Sequence, residues 1–428
     1  MITLVPTGTV SLMTSAVGHR PAGKAAWRAW LPVWSLGLYT ITAYGTWAYA
    51  FGVLIDPISA ETGWTTSFLG SVYGVAMLLT GLSAFWSGRL LDRFGPAVPL
   101  GLHAIVASGL MLVAVSVDRQ WLFGLLFATG AGLSGATGFY AMTTVIAARS
   151  RPDRPDRAIA VLTLVGAFCS PIYLPFSAWL LTVWDWRSVA RALILAGVFG
   201  AVQAAVVTAR VKLVQEDETG RAILPSARSW DAVKRSMAKP DVRRALAVYF
   251  LAGASAGTMW VYQVPMMVGT GLGLGLAGTL AGLRGFCQIF GRMGLTGAVE
   301  RHGSAQLLQG AYLITAVGGV ALLVASVVGT DSTTVVVGLS LVFALLAGTG
   351  FGASSPLQAI HARLHFDPGD LGLLMGLQGA VLGLAGAFGP MTGAVLRDAT
   401  GSWIPTIAVV VAVLLISAML LRPSGATG

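Results

Sequence analysis

The sequence predicts an all-α protein that crosses a membrane many times, and two observations support this fold class. The 428 residues are 55% hydrophobic and only 10% charged, with a mean hydropathy of +0.77, so the chain is far more apolar than a soluble globular domain. Runs of roughly 18 or more apolar residues also recur along its whole length, and each could cross about 30 Å of hydrocarbon as a helix. We therefore expect a multi-pass integral membrane protein, with the lipid bilayer as its largest partner.

Twelve such runs define the predicted spans. In chain order they are 30–54, 64–87, 97–117, 120–148, 158–183, 188–208, 245–268, 274–299, 305–329, 334–362, 371–396 and 404–421. One long polar segment separates the sixth span from the seventh. The predicted organisation is an N-terminal tail (1–29), a six-helix bundle (30–209), a linker (210–244), a second six-helix bundle (245–421) and a short tail (422–428).

The lysines and arginines lie mostly on one side of the predicted spans. They cluster in the tails, in the linker and in segments such as 149–157, whereas the opposite loops hold few. The positive-inside rule then places both termini in the cytoplasm, with the spans in the plasma (inner) membrane. The net charge of +10 reflects this topology, so no nucleic-acid partner is expected. The first 29 residues lack the apolar core of a signal peptide and are interpreted as a cytosolic tail.

The two halves share a sequence pattern at an offset of 208 residues. Five positions of the first half recur in the second with the same or a similar residue: Gly70, Gly74, Asp92, Arg93 and Gly95 correspond to Gly278, Gly282, Glu300, Arg301 and Gly303. An internal repeat of this length indicates duplication. We therefore expect two pseudo-symmetric six-helix bundles.

The segment after the second predicted span carries a recognisable motif. It begins with Gly88, continues to Asp92 and Arg93, and ends with Gly95. This resembles the Gly-x-x-x-Asp-Arg-x-Gly signature of the major facilitator superfamily, which implies the major facilitator fold. These four residues are then expected to act as a conformational latch, because the aspartate accepts from helix N-termini or arginines. In the second half Glu300 and Arg301 form a degenerate, weaker copy, with Thr296 in place of the first glycine.

Other segments resemble the monocarboxylate transporters and oxalate:formate antiporters. They are 44–53, 61–65, Trp186-Arg187 and 389–403. In that branch an arginine on the eighth helix commonly binds the substrate carboxylate, and Arg292 stands at its place, eight positions before Glu300. Proton-coupled relatives often carry an aspartate where this chain has Gln288, and a lysine on the first helix that this chain lacks. The resemblance therefore does not carry over the proton relay.

Two arginines interrupt the eighth predicted span. On a helix Arg284, Gln288 and Arg292 fall within roughly 80° of one another and extend over about 12 Å, which makes a polar stripe. Charged groups inside hydrocarbon are usually retained to face an aqueous path and an oppositely charged partner. Arginine stays charged and binds a carboxylate with two parallel hydrogen bonds. For Arg292 the alternative is a structural ion pair with Glu300 or Asp92.

No aspartate or glutamate lies deep inside a predicted span, so the cavity is expected to be positive and selective for anions. We predict a secondary transporter of a small organic anion, a monocarboxylate such as lactate or pyruvate, that works by alternating access as a monomer. Proton coupling and anion exchange both stay open. Tyr44 and Tyr140 are expected to line the pocket. His361 is a candidate proton site, the alternative being a solvated residue at a helix end.

Several other functions fit the sequence less well. No catalytic triad, phosphate-binding loop or metal-ligand spacing is present, and Cys169 and Cys287 lie far apart in separate spans. We therefore expect no enzymatic activity, no cofactor and no metal. An exporter of amphipathic compounds or drugs with the same fold is the main alternative, and a membrane sensor without transport is a more distant one.

Overall fold

Helices form on all twelve predicted spans. The computed structural model describes residues 27–209, 234–293, 295–329, 332–365 and 371–421. Residues 1–26 and 422–428 of the predicted tails and most of the predicted linker lie outside these ranges. In the first half the helices are α1 (Leu31–Ala43, a π-helical segment Tyr44–Tyr49, and Ala50–Thr62), α2 (Thr66–Phe94), α3 (Ala97–Leu102, a π-helical segment His103–Ala107, and Ser108–Ala114), α4 (Gln120–Gly138 and Tyr140–Ser150), α5 (Pro155–Gly166 and Cys169–Leu180) and α6 (Trp186–Ala209).

The second half repeats this series. Its helices are α7 (Pro240–Val268), α8 (Leu274–Arg292), the short helix Leu295–His302, α9 (Ser304–Val328), α10 (Thr333–His365), α11 (Leu371–Thr400) and α12 (Ile404–Leu420). Nine helices within the described ranges are long and apolar enough to cross a membrane, and α12 is a shorter apolar helix. The remaining two are α1, which its π segment divides, and α8, which carries two arginines.

Four turn glycines support the internal repeat in three dimensions. Gly95 and Gly303, which are 208 residues apart, both have φ of +76°, and Gly63 and Gly271, at the same offset, have φ of +70° and +93°. Positive φ is strained for residues with a Cβ atom and is readily adopted by glycine. The chain therefore turns in the same way at equivalent points of α1 and α7 and of α2 and α8.

The two halves pack closely at one end of the helices, which we call the loop side because it carries the turns at Gly63 and Gly271. Gly70 of α2 lies against Pro390 and Ala394 of α11, and Gly278 of α8 lies against Ala178 of α5. A Cβ atom at Gly278 would come within 2.6 Å of the Cβ of Ala178. Small residues allow helix backbones to approach this closely.

A polar clamp reinforces the loop side. The backbone N–H groups of Thr66 and Ser67, at the start of α2, donate to the carboxylate of Asp398 near the end of α11, at 3.2 and 2.6 Å. These N–H groups have no partner inside their own helix, and the positive end of the helix dipole favours an anion there. The clamp therefore joins the two halves.

The halves separate toward the opposite end, which we call the terminal side because residues 27, 234 and 421 lie there. Farther along α2, a Cβ atom at Gly81 or Gly88 would meet nothing within 4 Å, and the same holds on α11 for Gly376, Gly379 and Gly383. The helices that touch at the loop side thus have open space beside them at the terminal side. The molecule is closed at one end and open at the other.

Candidate functional site

Arg284 lies at the closed end of the gap between the two halves. Its side chain is 1% exposed, and its Nε–H donates to Oε1 of Gln263 on α7 at 2.5 Å. The guanidinium carbon lies 5.4 Å from the ring centre of Phe351 on α10. Side chains on a helix lean toward its N-terminus, so Arg284 on α8 extends toward the loop side, where Gln263 is found.

Glycines determine how deeply Arg284 is enclosed. A Cβ atom at Gly348 of α10 would collide with the carbonyl oxygen of Arg284, and one at Gly285 would collide with Ser170 of α5. Because these positions lack side chains, α8 packs directly against one helix of each half. Arg284 is consequently buried where the two halves meet.

The guanidinium of Arg284 is incompletely paired. Among the residues that the structure describes, Gln263 is its one hydrogen-bond partner, and no carboxylate lies within ion-pair distance. Arg187 offers a contrast, since it forms ion pairs with Glu61 at 3.1 Å and Asp118 at 2.7 Å. Both Nη atoms of Arg284 are therefore available to one further acceptor, such as a carboxylate that approaches end-on.

An aromatic cluster begins at Phe351, beside Arg284, and it comprises Tyr44, Tyr49, Phe139, Tyr140, Trp260 and Phe351. The ring of Tyr44 stacks on Phe139 with centroids 3.9 Å apart and planes 8° apart. Trp260 of the second half lies 6.2 Å from Tyr44 and 5.1 Å from Tyr49. It also meets Phe351 edge to face at 6.4 Å. The cluster joins α1 and α4 to α7 and α10.

Irregular backbone in the first half places these rings. Tyr44 and Tyr49 bound the π-helical segment of α1, and such segments often occur at functional sites. Phe139 has extended backbone angles, φ −82° and ψ 168°, which divide α4. In α5 the helix is divided at Ala167 and Phe168, because Pro171 has no N–H to donate to the carbonyl of Ala167. Three helices are thus interrupted around the aromatic cluster.

The other residues of the predicted stripe have different surroundings. Gln288 is 8% exposed, and its backbone packs against Gly352. Arg292, the last residue of α8, is exposed and has no ion pair within the described ranges, so the predicted pairing with Glu300 or Asp92 does not form in this state. Arg284 and Gln288 are enclosed at the closed end, while Arg292 lies on the open side.

The two predicted pocket tyrosines are both in the aromatic cluster. Tyr44 and Tyr140 are half-buried, with ring centroids 5.3 Å apart. The hydroxyl of Tyr140 donates to the carbonyl of Thr163 at 3.4 Å and covers Gly166 of α5. Gln263, which is not among the predicted site residues, is completely buried beside Arg284.

A family comparison identifies the architecture. The model of the Major Facilitator Superfamily matches residues 36–359. The chain belongs to this superfamily. The predicted fold of two pseudo-symmetric six-helix bundles is thereby confirmed, and the chain is a multi-pass membrane protein of a transporter family. No curated protein matches its sequence.

Solved structures show the same fold. A mutant of the nucleoside transporter NupG has a TM-score of 0.76 at 9% identity, covering 91% of this chain and 98% of its own. A D-xylose-proton symporter has 0.71 at 14%, covering 92% and 96%. A bacterial homolog of the human lysosomal transporter Spinster, solved inward-facing and unoccupied, has 0.67 at 15%, covering 94% and 98%. At these identities the likeness concerns the fold alone.

The superfamily motif is at the terminal side. Asp92 accepts a hydrogen bond from Nη1 of Arg149, at the end of α4, at 2.7 Å, which ties α2 to α4 within the first half. Gly95 provides the left-handed turn after α2, and the guanidinium of Arg93 lies 5.0 Å from the ring of Phe94. Gly88 has open space beside it.

The second copy of the motif is looser. Glu300 and Arg301 are exposed on the short helix Leu295–His302, and neither forms an ion pair with another described residue. Thr296, the replacement for the first glycine, has no described side chain. The expected weaker latch stays a prediction.

His361 is a buried residue and not a solvated one. It is 4% exposed, and its Nδ1 lies 2.6 Å from the hydroxyl of Tyr249 on α7. The first half contains a similar pair, since Nδ1 of His103 lies 2.7 Å from the hydroxyl of Tyr39. A role for His361 in proton transfer stays a prediction. Within the described residues no group of three metal-ligating side chains is found.

Proposed function

We propose that this superfamily member is a secondary transporter that moves a small organic anion by alternating access, with Arg284 binding its carboxylate. The observation that supports the proposal is the guanidinium of Arg284, buried where the two halves meet with both Nη atoms unpaired among the described residues. A monocarboxylate such as lactate or pyruvate would supply the missing acceptor.

Electrostatics favours an anion over a neutral or cationic substrate. A buried charge without a partner is destabilising by several kcal/mol, so such a group is retained mainly where a partner arrives during function. At 4 Å and an effective dielectric constant near 20, a carboxylate would interact with the guanidinium by about 4 kcal/mol. A cationic substrate would meet repulsion of the same size.

The open end of the molecule indicates where the anion would enter or leave. Basic residues cluster at the terminal side, and we propose that this side faces the cytoplasm. The described state would then be inward-facing, with Arg292 exposed on the cytoplasmic path to Arg284. Arg292 is proposed to attract the anion before it reaches Arg284.

Uptake into proteoliposomes tests the proposal. The purified chain would be reconstituted and given labelled lactate or pyruvate, with an imposed pH gradient in one set of vesicles and an internal counter-anion in another. We expect uptake above that of empty vesicles, and the gradient that stimulates it distinguishes symport from exchange. Arg284→Gln should reduce uptake to that of empty vesicles, whereas Arg119→Gln, an exposed arginine at the loop side, should leave it unchanged.

A folding control accompanies this test. Removing an uncompensated buried charge should leave the thermal midpoint of Arg284→Gln no lower than that of the unmodified chain. Unchanged uptake in Arg284→Gln would exclude the proposed anchor, and unchanged uptake in Arg292→Gln as well would exclude both arginines from the transport path. Transport of cationic amphipathic compounds without anion uptake would favour the exporter, and anion binding without flux would favour a sensor.

A further inference from the structure

The second half contains a cavity that the Arg284 site does not use. It has a volume of about 180 Å³ and extends from the gap between the halves into the core of the second bundle. Ser355 is exposed at its mouth, and Trp260 and Phe351 form one wall, while Tyr312 and Leu414 are buried at its inner end. Phe351 therefore contacts Arg284 and lines the cavity.

The internal repeat explains why the space is empty of side chains. At the offset of 208 residues, the equivalents of Tyr44 and Tyr49 in α1 are Ala252 and Gly257 in α7. Both small residues line the cavity. The first half has two tyrosine rings at these positions. The second half has no ring at the equivalent positions, and the cavity lies beside them.

One residue that lines the cavity has an unpaired hydrogen-bond donor. The hydroxyl oxygen of Tyr312 accepts from Nε2 of Gln358 at 2.8 Å, which leaves the hydroxyl proton without an acceptor among the described residues. Buried polar groups are usually paired, so this donor indicates an occupant that can accept a hydrogen bond.

We propose that this cavity is a second subsite for the same substrate and binds an uncharged group about the size of a six-membered ring that carries a hydroxyl or carbonyl. This inference rests on the proposed function, since the carboxylate of the same molecule would be held by Arg284. An apolar protein cavity of about 150 Å³ holds a benzene molecule, so the volume suits one ring.

The spacing of the two subsites limits the length of the substrate. The guanidinium of Arg284 is 5.4 Å from the centre of the Phe351 ring, and Phe351 also lines the cavity, so the two subsites adjoin. A carboxylate joined to a ring through two or three carbon atoms suits adjoining subsites. Three-carbon acids such as lactate would occupy only the Arg284 end and leave the cavity empty.

Three acids serve as probes of this subsite. The full-length purified chain would be titrated with propionate, 3-phenylpropionate and 3-(4-hydroxyphenyl)propionate, and dissociation constants would be measured by calorimetry. Burial of a ring should strengthen binding at least about tenfold relative to propionate, and the hydroxyl should add a further gain.

A variant at the mouth of the cavity tests where the ring binds. Ser355→Phe, which obstructs the mouth, should reduce the ratio of the affinity for 3-phenylpropionate to the affinity for propionate to about one. Leu345→Phe, exposed on the same helix outside the cavity, should preserve the ratio.

The polar groups need a separate variant. Gln358→Leu and Tyr312→Phe should remove the advantage of the hydroxylated ring over the plain ring while keeping the advantage of a ring over propionate. Equal affinities for all three acids, or a ratio that survives Ser355→Phe, would overturn the subsite and leave the Arg284 anchor standing. If none of the acids binds, both the subsite and the proposed function fail.

Discussion

Helices α2 and α8 occupy equivalent places in the two halves, and they share their architectural residues while differing at the site. Each carries two glycines where it meets the opposite half, and each is followed by a glycine with φ of +76°. The three pairs are Gly70 and Gly278, Gly74 and Gly282, and Gly95 and Gly303. These positions hold the same residue because both helices meet the same packing requirement.

Between these glycines the two helices carry residues of different polarity. In α8 the polar stripe is Arg284, Gln288 and Arg292, and at the offset of 208 residues α2 carries Ala76, Thr80 and Ala84. Ala76 is completely buried without cost, whereas Arg284 at the equivalent position carries a charge. The difference indicates that residues required by the fold are kept in both halves and that a residue proposed to contact substrate occurs in one.

The largest effect is expected from changing the shape of the cation while keeping its charge. Arg284→Lys loses the hydrogen bond to Gln263 and the paired Nη donors, and a point charge on a flexible chain replaces a planar fork. Loss of charge-assisted hydrogen bonds of about 1.5–3 kcal/mol should weaken anion binding by roughly 10- to 100-fold. This loss of affinity would be measured from the dissociation constants of propionate, 3-phenylpropionate and 3-(4-hydroxyphenyl)propionate.

Arg292→Lys provides the matched control. Arg292 is exposed and has no hydrogen bond to a described residue, so its contribution should be a screened, long-range attraction. We expect the affinity of this variant for the same acids to stay within about twofold of that of the unmodified chain. A larger loss in Arg292→Lys than in Arg284→Lys would reverse the proposed roles of the two arginines.

A smaller effect is expected where α2 contacts α11. A Cβ atom at Gly74 would lie 2.8 Å from the side chain of Met391 and 3.0 Å from the carbonyl oxygen of Ala387. Overpacking of this kind typically costs about 1–3 kcal/mol, so Gly74→Val should shift the population toward states that are open at the loop side. Gly81→Val, seven residues along the same helix, has open space and should have little effect.

Cysteine labelling would measure this shift. The native cysteines, Cys169 and Cys287, are buried, so an introduced Ser67→Cys at the loop side can be followed with a thiol reagent. Its labelling should be about tenfold faster in combination with Gly74→Val. Equal labelling rates with Gly74→Val and Gly81→Val would show that this contact does not close the loop side.

The sequence predicted the helices because hydrophobicity and length are local properties of the chain. The twelve runs required no knowledge of packing, and the offset between the halves followed from five matched positions, of which Gly95 and Gly303 are turn glycines with positive φ. The charge of Arg284 within an apolar span was likewise sufficient to indicate a site. These features depend on a residue and its immediate neighbours in the sequence.

The partners of Arg284 depended on contacts between helices and could not be predicted in this way. Gln263 is near the loop-side end of α7, but the packing of the halves buries it and the lean of Arg284 brings the two together. Phe351 is 67 positions from Arg284 in sequence and resembles any other phenylalanine of an apolar helix. The divided helices α4 and α5 were likewise hidden within continuous apolar runs.

The smallest effect is expected from the latch, and it compares the two copies of the superfamily motif. Asp92 is exposed and paired with Arg149, and exposed ion pairs contribute about 0.2–1 kcal/mol. Asp92→Asn should therefore change the rate of lactate exchange by no more than about fivefold, and added salt should reduce the difference. Glu300→Gln should change it less, because Glu300 has no ion pair with a described residue in this state. A greater effect from Glu300→Gln would mean that the second copy is the stronger latch in the alternate conformation, where the terminal side is closed and Glu300 acquires a partner.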